Sequence, residues 1–266
     1  MRRSDLSELI DCANILADAA REPALRYFRQ DSLSVENKRS DGFDPVTEAD
    51  RAVERTLREQ LAELRPQDAI VGEEYGAQPG RSEITWIVDP IDGTRAFVVG
   101  APTWGVLIAA ATQTGVLCGV IDQPFTQERF IGAGGTCTWH RHGKSQKLQT
   151  RKTNILSEAR LMTTFPELGT EKDRAGFESV AQNVKLVRYG LDCYAYALLA
   201  AGQIDLVIEA GLASYDVAGP IGVIEAAGGV VTTWSGGSAL QGGQVLASAN
   251  PTIHAKALKM LSDYAV

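Results

Sequence analysis

The chain has 266 residues, enough for one large or two modest domains, and its 44% apolar content supports a sizeable buried core. Lys and Arg number 26 against 33 Asp and Glu, a net charge of −7. That balance argues against a broad basic footprint for nucleic acid or anionic membranes, and 22% charge argues against long disorder.

Asp5, Glu8 and Asp11 interrupt any apolar run near the N-terminus, which is not the pattern of a secretory signal. The longest strongly apolar stretch, Gly105 to Ala111, is far shorter than the roughly 20 residues a membrane helix needs. Cys12, Cys118, Cys137 and Cys193 lack the close spacing of a zinc site or redox pair and read as buried reduced thiols. A soluble cytoplasmic protein is expected, with neither nucleic acid nor membrane as a partner.

Ser4 is placed to cap a first helix on which Leu6, Leu9, Ile10, Ala13 and Leu16 recur at helical spacing. A short strand-like segment, Leu33 to Asn37, precedes a polar loop, Lys38 to Pro45. Thr47 then opens a second helix with Val53, Leu57, Leu61 and Leu64 on one face, stopped by Pro66. Strand-length apolar runs follow at Ala69–Val71, Ile84–Val88, Val106–Ala110, Val116–Ile121 and Arg129–Ile131, separated by Gly-, Asp- and Pro-rich turns. The second half alternates strands (161–164, 185–188, 204–209, 230–233, 245–248) with helices (173–183, 191–201, 216–227, 251–261), the order of an α/β unit. The polar stretch Arg141 to Lys152 suggests a division into an α+β domain, 1–142, and an α/β domain, 143–266.

The densest chemistry lies in W-I-V-D-P-I-D-G-T, Trp86 to Thr94. A buried strand delivers Asp89, Pro90 stiffens the turn, and Asp92 follows three residues later. Two carboxylates on one rigid turn suit a hard cation, and N–H groups of Gly93 and Thr94 at a helix start suit a phosphate. The plainer reading is an ordinary Asp-Pro-x-Asp-Gly turn. Two further acidic ends stand in similar contexts. Gly72-Glu73-Glu74 follows the strand Ala69–Val71, and Asp216 opens a helix, where capping alone would explain it. Convergence of all three on one crevice is the expectation for an open α/β sheet. His140, His142 and His254 read as surface residues.

Together, Gly72–Glu74, D-P-I-D-G-T at Asp89–Thr94 and Y-D-V-A-G…E-A-A-G-G at Tyr215–Gly229 resemble the inositol monophosphatase family of Mg²⁺-dependent phosphatases. The resemblance implies an α/β fold, a layered α-β-α-β-α sandwich with an α+β N-terminal half, commonly assembled as a homodimer. It implies that Glu73, Asp89 and the carbonyl of Ile91 hold one Mg²⁺, that Asp89, Asp92 and Asp216 hold a second, and that a third, weaker ion shares Glu73. Thr94 and Glu73 would position and activate the attacking water. Asp50 would support Thr94, although Thr47-x-x-Asp50 is equally a capping box.

The family resemblance also places the leaving group against the segment before the last motif. Asp192 stands where inositol-specific members carry a small neutral residue, Glu209 lies seven residues before Asp216, and Arg95 follows Thr94. Two added carboxylates favour a cationic ester over a neutral polyol. The run G-L-D-C-Y-A-Y-A-L-L-A at Gly190–Ala200, with T-R-A-F at Thr94–Phe97, is similar to the branch that hydrolyses histidinol phosphate. The alternatives are an inositol or sugar monophosphate, 3′-phosphoadenosine 5′-phosphate, or a non-catalytic binding protein on the same fold. A helix N-cap for Asp192 and helix packing for Tyr194 and Tyr196 are the structural alternatives.

Overall fold

The computed structural model describes residues 3–30, 35–37 and 45–266. Helix α1 (Arg3–Tyr27) is already formed at Arg3, so Ser4 lies within it rather than at the expected N-cap position. Leu9, Ala13 and Leu16 are buried as their spacing requires, and Ala17, Ala20 and Ala24 extend the same face with side chains small enough for close packing. Strand β1 (Val35–Asn37) pairs antiparallel with β2 (Pro45–Thr47). Residues 31–34 and 38–44, which take in most of the polar loop, lie outside the described residues.

Thr47 caps α2 (Glu48–Leu64), accepting from the Ala49 N–H at 3.1 Å, while the Thr47 N–H donates to Asp50 Oδ2 at 2.8 Å. Val53, Leu57 and Leu61 face inward, but Leu64 is 40% exposed because it is the last residue of the helix, where the chain turns off at Pro66.

The next elements are β3 (Ala69–Gly72), β4 (Gly76–Gln78), β5 (Thr85–Asp92), the short helix α3 (Thr94–Val98), β6 (Gly105–Thr112), β7 (Gly115–Gln123), β8 (Glu128–Ala133), β9 (Thr136–Arg141) and β10 (Lys144–Leu148). Their eight strands form one sheet in the order β10-β9-β8-β7-β6-β5-β3-β4. The β3–β5 pair is parallel and the others are antiparallel.

Strands β9 and β10 fall in and beside the stretch that reads as a linker. Only Leu148 of β10 is buried, so this edge strand carries no apolar alternation to reveal it. His142 and Gly143 both have positive φ, +49° and +74°, and close a two-residue hairpin between the strands. The larger sheet therefore runs to Leu148, past the boundary expected at 142/143, and the two sheets are separated by the segment 149–159.

The second half supplies β11 (Arg160–Thr163), α4 (Glu171–Ala181), β12 (Leu186–Tyr189), α5 (Cys193–Ala200), β13 (Leu206–Leu212), α6 (Ser214–Ala226), β14 (Val230–Thr233), β15 (Gly243–Ser248) and α7 (Pro251–Leu261). Its five-stranded sheet has the order β12-β11-β13-β15-β14. Strand β11 is parallel to β12 and β13, and β15 is antiparallel to its neighbours.

The three largest apolar clusters among the described residues define the layers. One joins α1 and α2 to the larger sheet, through Leu16, Leu57, Trp86 and Ile108. The second holds α5 and α6 between the two sheets, and the third packs α4 and α7 on the outer face of the smaller sheet. The result is the expected α-β-α-β-α sandwich. Helix α6 approaches the larger sheet unusually closely because Gly219 and Gly222 face Gly119 and Gly132. A Cβ on Gly119 would lie 2.3 Å from the Gly219 carbonyl oxygen, and one on Gly132 would lie 2.1 Å from that of Gly222.

All four cysteines are buried and free, and burial pushes the Cys118 and Cys137 thiols up to about 12. His254 corrects the sequence reading. It is 6% exposed, on the inner face of α7 with Ile253 and Ala257, and its ring meets Thr232 Oγ1 at 3.1 Å and Ser248 Oγ at 3.0 Å. It is a hydrogen-bonded core histidine, tying α7 to β14 and β15.

Candidate active site

Strand β5 is buried along nearly its whole length, and its ladder with β6 slips by one residue between Asp89 and Asp92. Pro90 has no N–H to give to that ladder, and the bulge turns the two carboxylates out of simple strand alternation. The Asp89 carboxylate accepts from the Ile91 N–H at 3.0 Å, and Asp92 Oδ2 accepts from the N–H of Cys193, the first residue of α5, at 2.6 Å. Asp216 is the third residue of α6 and accepts from the Ala213 N–H at 2.6 Å. The close seating of α6 on glycines brings this residue from the second half against the end of β5. One carboxylate oxygen each of Asp89, Asp92 and Asp216 lies within 4.8 Å of the others.

This cluster fits a hard divalent cation. Asp89 and Asp92 are held well above the usual carboxylate range, first by burial and then by neighbouring negative charge, from Glu73, Asp92 and Asp216 at Asp89 and from Asp192 and Asp216 at Asp92. Several acids crowded in low dielectric must either hold protons or share a cation, and an all-oxygen donor set suits Mg²⁺ or a similar ion. Glu73 stands outside the close trio, yet it is the strongest charged influence on Asp89.

The Asp50 carboxylate reaches both Thr47 and Thr94. Its Oδ2 accepts from the Thr47 backbone and hydroxyl, and its Oδ1 lies 3.4 Å from Thr94 Oγ1. The Thr94 hydroxyl is also 3.1 Å from the Ile91 carbonyl oxygen, so its single proton has two acceptors to choose between. Burial raises the Asp50 carboxyl to about 6.

One residue that sequence reasoning overlooked holds the Gly-Glu-Glu turn. Glu54, fully buried on α2, accepts from the Glu74 N–H at 2.6 Å, the Tyr75 N–H at 3.2 Å and Arg58 Nε at 2.8 Å. A Cβ on Gly72 would fall 2.1 Å from its Oε1, so a glycine is needed where that carboxylate passes. The available signal was an acid one helical turn after Asp50, beside the apolar Val53 and Leu57.

A cavity of about 300 Å³ opens beside the carboxylates, within the range of small-molecule sites. Asp92, Gly93, Thr94, Arg95, Asp192, Glu209 and Asp216 all line it, whereas Asp50, Glu73, Asp89 and Ile91 stand outside its lining. Gly93 has φ +81°, and a Cβ there would be 2.8 Å from Asp192 Cγ, so glycine answers both the turn and the contact.

Gly190, Leu191 and Asp192 have φ of +91°, +81° and +47°, a run that forces the chain sharply into α5. Asp192 occupies the N-cap position, but its side chain does not cap the helix. It lies 3.4 Å from Thr103 Oγ1 instead, with its carboxyl raised by burial to about 6.

Glu209 accepts from the Thr164 N–H at 2.7 Å, Thr164 Oγ1 at 2.9 Å and Thr163 Oγ1 at 3.2 Å, and burial raises it to about 7. The Arg95 guanidinium stacks on Phe165, 4.8 Å from the ring centre, so this mouth of the cavity is built from both halves of the chain. Tyr194, in contrast, donates to Glu128 at 2.8 Å and packs against Phe130.

Residues 5–265 match the model of the inositol monophosphatase family. The chain is 38% identical to the chloroplastic bifunctional phosphatase IMPL2 of Arabidopsis thaliana, over 97% of this chain and 76% of that protein. It is 32% identical to a histidinol-phosphatase of Chlorobaculum parvum, over 88% of this chain and 89% of the relative. An inositol monophosphatase structure from Zymomonas mobilis superposes with a TM-score of 0.85 at 34% identity, covering 97% of this chain and 99% of the other. With the carboxylate trio beside a small-molecule cavity, these matches establish that the chain belongs to the inositol monophosphatase family of phosphatases.

Proposed function

We propose that the chain is a Mg²⁺-dependent phosphate monoester hydrolase whose substrate is histidinol phosphate, released as histidinol for histidine biosynthesis. The observation that carries the reading is the pair of carboxylates, Asp192 and Glu209, lining the same cavity as Asp92 and Asp216. Burial raises both carboxyls, to about 6 and about 7, so a cation arriving beside them favours their charged forms and is held by them. The relatives include a protein named histidinol-phosphatase, which supports the choice.

In this reading Glu73, Asp89 and the Ile91 carbonyl hold one Mg²⁺, Asp89, Asp92 and Asp216 a second, and a third ion shares Glu73. Bound there, the ions supply Lewis acidity for the phosphoryl oxygens and for the entering water. The Thr94 hydroxyl orients the water, Asp50 fixes that hydroxyl from behind, and Glu73 takes the proton. The N–H groups of Gly93 and Thr94 face the phosphate, and Arg95 draws the anion to the mouth. Asp192 and Glu209 then hold the leaving group. Four buried thiols suit the reducing cytoplasm, and we infer a homodimer from the family resemblance.

Phosphate release with Mg²⁺ from histidinol phosphate, inositol 1-phosphate and 3′-phosphoadenosine 5′-phosphate tests the assignment. Histidinol phosphate is expected to lead by about tenfold or more in kcat/KM, the discrimination that one desolvated charge contact provides. Equal turnover of the first two rejects the substrate. No turnover of any of them rejects the hydrolase. The second reading, an inositol or sugar monophosphate, draws on the likeness to the Zymomonas mobilis inositol monophosphatase and predicts the reverse order.

A further inference from the structure

Tyr196 is the fourth residue of α5, 4% exposed, and lines the cavity beside Asp92, Glu209 and Asp216. Its Oη is buried and has no hydrogen-bond partner among the described residues. Two residues earlier on the same helix, the Tyr194 hydroxyl is fully engaged with Glu128. Helix packing therefore accounts for one of these tyrosines and not for the other. A phenol buried without a partner is less stable than phenylalanine in the same place, since its polar oxygen has left water for nothing. Such a group at a ligand site is the kind of local stability loss that function retains.

The surroundings set the direction of the missing bond. The charges of Glu209, Asp92 and Asp216 all act on Tyr196, and Arg95 lies at the cavity mouth on Phe165. Among these carboxylates the group the cavity would draw is a hydrogen-bond donor, and a phenol oxygen can accept from it. We propose that Tyr196 is a specificity residue whose Oη accepts a hydrogen bond from a donor, an N–H group or a hydroxyl, on the leaving group of the phosphate ester. The inference rests on reading this cavity as a phosphatase site, and it does not depend on histidinol phosphate being the ester.

The test is Tyr196→Phe, which removes one oxygen and keeps the packing. Kinetics with Mg²⁺ are compared on L-histidinol phosphate, glycerol 1-phosphate and phenyl phosphate, which carry N–H donors (an ammonium and an imidazole), hydroxyls and neither kind of donor. The expected result is a KM raised about tenfold for one or both of the first two, with kcat within about twofold and phenyl phosphate unchanged, as for one lost hydrogen bond. Tm is expected to hold or rise, because the orphaned oxygen is gone.

An effect on histidinol phosphate alone identifies the donor as an N–H group of that ester, ammonium or imidazole, and on glycerol phosphate alone as a hydroxyl. The same ratio on all three esters overturns the proposal, as does a lower Tm with unchanged KM, the mark of a hydroxyl tied into buried water. The wild-type order of preference judges the substrate reading, and the variant-to-wild-type ratio, ester by ester, judges Tyr196. A wild type inert on all three overturns both.

Discussion

The two walls of the cavity are built in different ways. The carboxylate wall comes largely from Asp92–Arg95, the close of one turn at the bulged end of a buried strand of the larger sheet. The opposite wall is assembled from the end of β11, the strained entry to α5 and the middle of β13, segments brought together only by the smaller sheet. A bulge, a proline and a left-handed glycine stiffen the first wall locally, although Asp92 also takes the Cys193 N–H from α5. The second depends on packing, so single residues there can change without dismantling the first. Chemistry and specificity can therefore vary separately in this architecture.

The largest expected effect breaks the first wall. Asp89→Asn should lower kcat by about three orders of magnitude or more through lost cation binding, with a circular dichroism spectrum and Tm matching or exceeding wild type, since a buried, crowded charge is removed. Chelation with EDTA should abolish activity, with Mg²⁺ restoring both activity and a higher Tm. Survival of full activity in EDTA would contradict the cation reading of the trio.

Glu54→Ala should destabilise the chain by about 3 kcal/mol, because two N–H groups and Arg58 lose a buried carboxylate. It should also lower kcat by loosening the turn that carries Glu73. Urea denaturation beside kinetics separates the two effects.

The pH dependence sharpens the second wall. The Glu209 carboxyl, ordinarily near 4.5, is raised to about 7 in the folded protein by burial. The folded state then binds the proton more tightly than the unfolded state. The stability tied to this group is complete below its ordinary value and is lost as pH rises through about 7. Metal-free wild type should therefore lose stability relative to Glu209→Gln between pH 5 and 8, by up to about 3 kcal/mol. Parallel melting curves across that range would remove the assignment. The smallest effect is on the same wall. Asp192→Ala should raise KM for the cationic ester about tenfold, leave kcat nearly intact and spare a neutral ester. An unchanged preference would show that Asp192 does not select the leaving group.

Much of the architecture was legible in the residues. The capped helix from Thr47, the strands of the second half and the final helix Pro251–Leu261 all stand close to where spacing and turn residues put them. Strands β9 and β10 were not legible, because an edge hairpin with one buried end has no periodic apolar face. His254 was misread for a related reason: one polar residue on an otherwise apolar helix face carries no mark of the two hydroxyls waiting for it.

The sequence by itself determined the acids at Asp89 and Asp92, their separation and the glycine that follows, since these lie within one turn and obey local chemistry. Family membership was also readable there, through motifs whose order needs no coordinates. Only the tertiary structure decided that Asp216 meets Asp89 and Asp92, that Glu54 braces the Gly72–Glu74 turn, and that the Tyr196 hydroxyl has no partner among the described residues. The first and third depend on the layer of α5 and α6 between the two sheets, with α6 seated over glycines, and the second on α2 packing against the larger sheet. Local pattern records which groups a segment can offer, and long-range packing decides which of them meet.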